Sequence, residues 1–421
     1  MRRSFASVLL LCLLAAPLAG WARSILIPMD ERQSNHLKAY GIAYAVLKAD
    51  AEVEWLLNYR GGSFMIAHSA AFEAECRIRG VSAEIISDAE AASIRQKLAD
   101  PNLNGDVVKL LKAAKIVVYS PIKISTAEFE NTDAVLQVLT YAEIPYEVVY
   151  DEEILKGDLP KYDWLHLHHE DFTGQFGRSM HRMTVDDIKA QETIAKKFGH
   201  AKVSHMKLAV AKRIKEFCAG GGYLFAMCSG AETFDIALAA EGVDIVPSSY
   251  DGDPADPDAQ SKLDFSKTMA FQNFTLEGDN GYRGFSTFSD INANGSRGYE
   301  SGNTYFELFN FSAKWDVIPA MLTQNHEATI REFAGQTTAF RKGAVKPNVL
   351  VMGEGKTSHR YIYGEIGRGR WTFYGGHDPE GVRGGNFRMP TNLNLHPHSP
   401  GYRLILNNVL FPSARKKKRK T

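Results

Sequence analysis

From residue 24 onward the chain alternates short apolar runs with amphipathic ones. "SILIPMD" (24–30) has the length of a strand, and Leu37, Tyr40, Tyr44 and Leu47 then recur at steps of three and four, as one face of a helix requires. "EVEWLLN" (52–58) predicts the next strand, "AFEAECRIRG" a helix, and "VSAEIIS" a further strand. Residues 23–112 are therefore expected to form an N-terminal α/β lobe.

A second series opens at "KIVVYSP" (115–121) and continues through the helical "TDAVLQVLTYAEI", the strand "YEVVY" and "YDWLHLHHE" (162–170). Val203, Met206, Val210, Ile214 and Phe217 follow at helical steps. "YLFAM" (223–227), the helix-like run after it and "VDIVP" (243–247) then extend the β-α-β order, which predicts a parallel sheet with helices on both faces. Residues 251–310 change character. "DGDPADPD", "GDNGYRGFSTFSD" and "NANGSRGYESGN" are dense in Gly, Asn, Asp and Ser and read as a long surface insertion. "HRYIYGEIGRGRWTFYGGHDPEG" supplies two strands around a Gly-rich turn, and "SPGYRLILNNVLF" a closing helix.

Length and composition sharpen this picture. A chain of 421 residues, 44% of them hydrophobic, buries a large core, and the length favours two lobes or one enlarged α/β domain. Residues 1–22 carry Arg2 and Arg3, an apolar stretch too short to span a bilayer, and a small-x-small site at Gly20-Trp21-Ala22, so they read as a signal peptide and the mature protein as exported, periplasmic or secreted. No later window approaches the ~20 apolar residues of a spanning helix, so no transmembrane anchor is expected in the mature chain. Cys76, Cys218 and Cys228 are too few and too scattered for a disulfide framework, and their odd number leaves a thiol unpaired.

The 49 basic and 49 acidic residues balance only because "RKKKRK" closes the chain. Without those six and the two signal arginines the basic count is 41, an excess of eight negative charges on the body. Nucleic acid is thus an unsuitable partner, and residues 413–421 form a basic tail.

Candidate chemistry concentrates in three stretches. In "GGGYLFAMCSGAETFDIALA" (220–239), Cys228 follows a strand and precedes a helix, with Ala226 and Gly230 flanking it at minus two and plus two. A nucleophile on such a turn needs small neighbours so that the backbone bends steeply. Ser229 and Glu232 form an S-x-x-E capping pattern, N–H groups at the helix start favour thiolate, and the Ser229 amide is placed to hold an oxyanion. A buried core cysteine beside an ordinary turn fits the same pattern. In "FYGGHDPEG" (373–381), His377 is the candidate proton shuttle, with Asp378 or Glu380 to orient it.

In "HLHHEDFTG" (166–174), His166 and His168 share one strand face, and His168, His169 and Glu170 would line a pocket. Two imidazoles at that spacing suit two metal ligands, with "HPH" (396–398) the one candidate for a third, so neither a metal nor another cofactor is expected. "GEGKT" (353–357) lacks the earlier glycine of a phosphate loop, since residue 350 is Leu.

With the strand, Cys228, Gly230 and the late His377 in place, residues 113–412 resemble the class I glutamine amidotransferase-like superfamily, and the closing "WTFYGGHDPEG" and "SPGYRLILNNVLF" are similar to its ThuA-like branch. The resemblance implies a flavodoxin-like sheet and a Cys–His–acid site acting on a small polar or sugar-related carbonyl compound. Two departures separate this chain from glutamine-hydrolysing members. Ala226 and Glu232 stand where those carry Gly and Gln around the cysteine, and Pro379 stands where their Glu follows the histidine.

The openings "IPMDERQSNHLKAYGIAY" and "WLLNYRGGSF" also resemble secreted bacterial proteins labelled asparagine synthetase B. Arg2, where that enzyme exposes a cysteine, and the lack of a Ser-Gly-Gly-x-Asp-Ser loop for ATP argue against the label's activity. The expectation is a cofactor-independent cysteine hydrolase or amidase. Its alternative is a ligand-binding protein on the same fold that has lost turnover.

Overall fold

The computed structural model describes residues 23–123, 133–176, 178, 184–278, 287–295, 304–381 and 390–415. The expected signal segment (1–22) and all but the first three residues of the basic tail lie outside the described residues.

The N-terminal part runs β1 (Arg23–Ile27), α1 (His36–Lys48), β2 (Val53–Leu57), β3 (Ser63–Ala67), α2 (Ala70–Ile78), β4 (Glu84–Ser87), α3 (Asp88–Ala99) and β5 (Asp106–Leu110). Its five strands lie in the order β4-β1-β3-β2-β5, with every pairing antiparallel. Capping starts these helices where the sequence signals it. Asn35 caps α1, and Ser87 with Glu90 closes a full capping box on α3.

The second part opens with β6 (Ile116–Tyr119), α4 (Ala134–Tyr141), β7 (Glu147–Val149), α5 (Asp151–Lys156), β8 (Trp164–Leu167), α6 (Val185–Lys197), α7 (Val203–Ala219), β9 (Tyr223–Met227), α8 (Cys228–Ala239) and α9 (Ser248–Asp251). It closes with β10 (Tyr305–Leu308), α10 (Val317–Leu322), β11 (Thr329–Arg331), β12 (Phe340–Arg341), β13 (Leu350–Glu354), β14 (Ser358–Ile366), β15 (Gly369–Tyr374) and α11 (Pro400–Leu410).

All these later strands join one sheet in the order β11-β10-β13-β14-β15-β9-β8-β6-β7, with β12 beside β14. The chain is thus mixed α/β with two sheets, and the larger sheet is itself mixed. Strands β7, β6, β8, β9 and β15 run parallel. Strands β10 to β14 pair antiparallel.

The parallel sheet expected from the β-α-β order is thus one part of a mixed sheet. The connections from β13 to β14 (355–357) and from β14 to β15 (367–368) are hairpin turns, and a turn that short reverses the chain, whereas a parallel return needs a crossover of a dozen residues or more. "VDIVP" forms no strand either. The Asp244 amide donates to Asp256 and its carboxylate takes Lys202 at 2.5 Å, so the stretch is held as irregular chain, and the strand beside β9 is β15.

The 251–310 stretch is more than a surface insertion. Phe271, Phe274, Phe288 and Ile291 are buried in the core around α8. Asp235 of α8 accepts the N–H groups of Met269, Ala270 and Phe271 at 2.7, 2.7 and 2.8 Å, which stitches the segment to the helix.

Helix α11 joins the two parts. Its Asn407 accepts a hydrogen bond from Tyr40 of α1, and its Asn408 accepts from Tyr223 and Thr372 of the large sheet at 2.6 and 2.7 Å. Apolar side chains from α1, α4, α11 and both sheets form one continuous core around it. Arg403, fully buried on the same helix, donates to the Met29 carbonyl at 3.2 Å.

Beside Arg403, His36 stacks on His326 with ring centroids 4.2 Å apart, and His398 lies 2.9 Å from His36. Burial and then the Arg403 charge push His36 down to about 3 and His326 down to about 4. Both rings are neutral when folded and take up protons near pH 6.5 when unfolded, so the unfolded chain binds more protons in acid and stability falls as pH drops below 6.5. Urea unfolding should show a loss of about 2 kcal/mol per ring between pH 7 and pH 5. His36→Phe should remove about half of the two rings' combined loss; an undiminished loss in the variant contradicts the assignment.

Candidate active site

Strand β9 delivers Cys228 to the C-terminal edge of the parallel strands, flanked by β8 and β15. The next residue is already helical, so the chain turns on Cys228 itself. Its φ is +52°, a left-handed conformation that costs a non-glycine residue roughly 1–2 kcal/mol. Gly230 is small for a local reason. A Cβ there would meet the His168 carbonyl oxygen at 2.5 Å and Glu170 Oε2 at 3.0 Å, and its own N–H donates to that carbonyl at 3.2 Å.

The Ser229–Glu232 capping pair does not form. Among the described residues Ser229 Oγ has no hydrogen-bond partner, and Glu232 instead accepts from Ser289 at 2.6 Å and from Thr337. Burial pushes the Glu232 carboxyl up to about 7.

The sulfur is fully buried, but in polar surroundings. It accepts the backbone N–H groups of Gln336 at 3.2 Å and Thr337 at 3.4 Å. Burial pushes the thiol up to about 11, against the opposing pull of the Thr337, Ser229 and Gln336 amides. The expectation that N–H groups at the helix start favour thiolate is therefore corrected: desolvation outweighs them. Cys76 and Cys218 are buried in α2 and α7, as packing residues, and burial raises both thiols.

His377 follows β15 and reaches the same place. Gly335 marks the meeting point, at φ +152°. A Cβ on it would lie 2.6 Å from His377 Nδ1 and 3.0 Å from Cys228 Sγ. One bare Cα therefore sits against both groups, and the thiol and the imidazole are neighbours. Burial, then His168, hold the His377 imidazole well below its usual range.

The rings of His168 and His169 complete the cluster. His168 lies edge-on to His377 at 4.5 Å and to His169 at 3.9 Å between centroids, and His169 is 5.3 Å from His377. A ring nitrogen of each lies within 4.8 Å of the other two, a spacing that suits a metal ion. The third imidazole of this set is His377. His398 of the "HPH" stretch belongs to the His36 cluster instead, and His396 faces Glu380 at 3.6 Å.

Asp133 anchors the cluster from behind. Its Oδ1 caps α4 by accepting the Val135 and Leu136 N–H groups, and its Oδ2 lies 3.2 Å from His166 Nε2 and from His168 Nδ1. Burial pushes this carboxyl up, and the His168 and His166 imidazoles more than reverse that, leaving it well below the ordinary range. Glu170 behaves oppositely. Its Oε2 is buried with no hydrogen-bond partner among the described residues, and burial lifts its carboxyl well above normal.

Asp378 and Glu380 point elsewhere. Asp378 accepts from the Glu380 amide at 3.1 Å and from Thr391 and Tyr402, while Glu380 accepts from Ser399 at 2.6 Å. Neither carboxylate hydrogen-bonds the His377 ring among the described residues, and His377 Nδ1 has no partner there. The acid facing the imidazoles is Asp133. Its one sequence signal was its place before "AVLQVLTY", which marks a helix cap; Gly335, Gln336 and Thr337 read as a turn.

No family model and no curated protein matches this chain. Among solved structures, a cytoplasmic protein of Salmonella typhimurium is 11% identical, with 72% of this chain and 100% of that chain covered at a TM-score of 0.37. A GH42 beta-galactosidase from G. stearothermophilus is 11% identical at TM-score 0.27, and this chain covers 63% of itself but 28% of that enzyme. An exo-beta-1,4-mannosidase from an Opitutaceae bacterium gives the same identity and score, with 32% of its length covered. Likeness at this level says nothing of this chain's activity.

The buried thiol gives a direct prediction. In chelator-treated protein, alkylation mapped to Cys228 by peptide mass spectrometry should rise with pH toward a midpoint near 11. At pH 7 it should run at least ~100-fold slower than with a free cysteine. A midpoint at or below 8.5 contradicts this account.

Proposed function

We propose that this chain is an exported cysteine hydrolase or amidase of the glutamine amidotransferase-like type, acting on a small polar or sugar-related carbonyl compound. The observation that carries the reading is the shared seat at Gly335, where a Cβ would stand 2.6 Å from His377 Nδ1 and 3.0 Å from Cys228 Sγ. The order β7-β6-β8-β9-β15 supports a flavodoxin-like assignment, because it is the 2-1-3-4-5 order of that doubly wound class with Cys228 at the carboxyl edge. Export rests on the pattern of residues 1–22.

Burial drives both groups toward their neutral forms, the thiol upward and the imidazole downward. The resting pair is then S–H beside a neutral ring, and attack proceeds by general-base catalysis. As Sγ bonds to the carbonyl carbon, His377 takes the thiol proton and the Ser229 N–H faces the developing oxyanion. His377 returns that proton to the leaving amine or alcohol, which leaves a thioester on Cys228. Water, deprotonated by the same ring, cleaves the thioester to a carboxylic acid and restores the thiol. His168, His169 and Glu170 line the approach.

One observation favours a second reading. The sulfur has no exposed surface and accepts the Gln336 and Thr337 amides, so a substrate reaches it only when its surroundings move, and a chain that never makes that movement binds without turnover. Hydrolysis of p-nitrophenyl acetate and a panel of small amides separates the two. The hydrolase reading expects turnover that falls at least ~1,000-fold in Cys228→Ala and in His377→Ala. Turnover untouched by Cys228→Ala, or none with any substrate, favours the binding protein.

A further inference from the structure

We propose that His168, His169 and His377 form a seat for one divalent cation of the zinc class, with Asp133 as its outer carboxylate. The seat shares His377 with the thiol chemistry above but does not depend on it. The three imidazoles come from two distant segments, the end of β8 and the loop after β15, and their ring nitrogens converge within 4.8 Å. Zn–N bonds of 2.0–2.1 Å place tetrahedral nitrogens about 3.4 Å apart, so small ring rotations close the set around an ion. Three imidazoles favour zinc, cobalt or copper over calcium or magnesium, which take oxygen ligands.

Two further observations point to a ligand. His168 is 1% exposed, and its Nε2 has no hydrogen-bond partner among the described residues. Its Nδ1 lies 3.2 Å from Asp133 Oδ2, so the carboxylate stands on that side of the ring and leaves Nε2 as the nitrogen available to a ligand. That carboxylate–imidazole pairing is how outer groups orient metal-binding histidines. His377 Nδ1 is likewise buried without a partner. Buried polar atoms left so are costly, and a cation within reach of the ring nitrogens offsets that cost.

Three protein ligands leave a fourth tetrahedral position open. With an ion on His377, that ring is no longer a free base for Cys228, so the cation-loaded chain holds the thiol site inactive.

The test uses the chelator-treated full chain, titrated with Zn2+ by calorimetry and with Co2+ by visible absorption. One ion per chain, with tetrahedral cobalt bands, is expected. His168→Ala and His169→Ala should weaken binding at least ~100-fold. Asp133→Asn keeps a capping oxygen for α4 but loses the carboxylate, and should weaken binding about 10- to 100-fold. Cys228→Ala should bind as the parent does, which keeps this result separate from any failure of the thiol reading. Circular dichroism checks folding, and His377→Ala replaces a histidine variant that misfolds. No bound ion, or binding that survives the histidine substitutions, overturns the proposal.

Discussion

A steric constraint at one residue shapes this site: Cys228 stands at φ +52°, where a side chain is strained, because β9 ends and α8 begins on it. The strain persists because both flanks are over-determined. Behind it, β9 is paired on both sides; ahead of it, Gly230 is pressed on the His168 carbonyl with no room for a Cβ. The sulfur is therefore lifted off the sheet toward Gly335, and Gly335 is the one residue type that lets the backbone lie against both sulfur and imidazole. Replacing either glycine loses the arrangement before any chemistry is touched.

Charge is distributed with the same economy. Burial neutralises Cys228, His377 and Glu170, each by disfavouring its charged form. Asp133 is the exception, held ionised by two imidazoles at 3.2 Å and by the α4 N–H groups it caps. A single fixed carboxylate thus faces a group of imidazoles that share its field. That arrangement serves proton transfer from a neutral thiol, and it serves equally well to orient rings around a cation.

The fold was legible in the sequence where the physics is local. Helical spacing in Val203–Phe217 and the apolar run "YLFAM" map directly onto α7 and β9, and the small residues around Cys228 mark the turn. "VDIVP" misled because its apolar content resembles a strand while Lys202 and Asp256 tie Asp244 into irregular chain. The Ser229–Glu232 pattern misled for a related reason. Glu232 finds Ser289 and Thr337, 57 and 105 residues away, and long-range bonds override a local cap. Asp133 and Gly335 were illegible as site residues, since nothing near them in the chain indicates that folding brings them to His168 and Cys228. The parallel-then-antiparallel sheet had the same cause: neighbouring strands were readable, but which strand completes the sheet beside β9 was set by pairs such as Arg370 with Tyr223, 147 residues apart.

The account's central claim is that Cys228 and His377 act as one unit. The most direct measurement is intact and peptide mass spectrometry on chelator-treated chain, acid-quenched while it turns over p-nitrophenyl acetate. The account predicts a single acetyl group carried on the Cys228 peptide, and in His377→Ala a chain that stays unmodified over the same interval. An acetyl group on Cys76, on Cys218 or on surface lysines alone, with Cys228 bare, would contradict it.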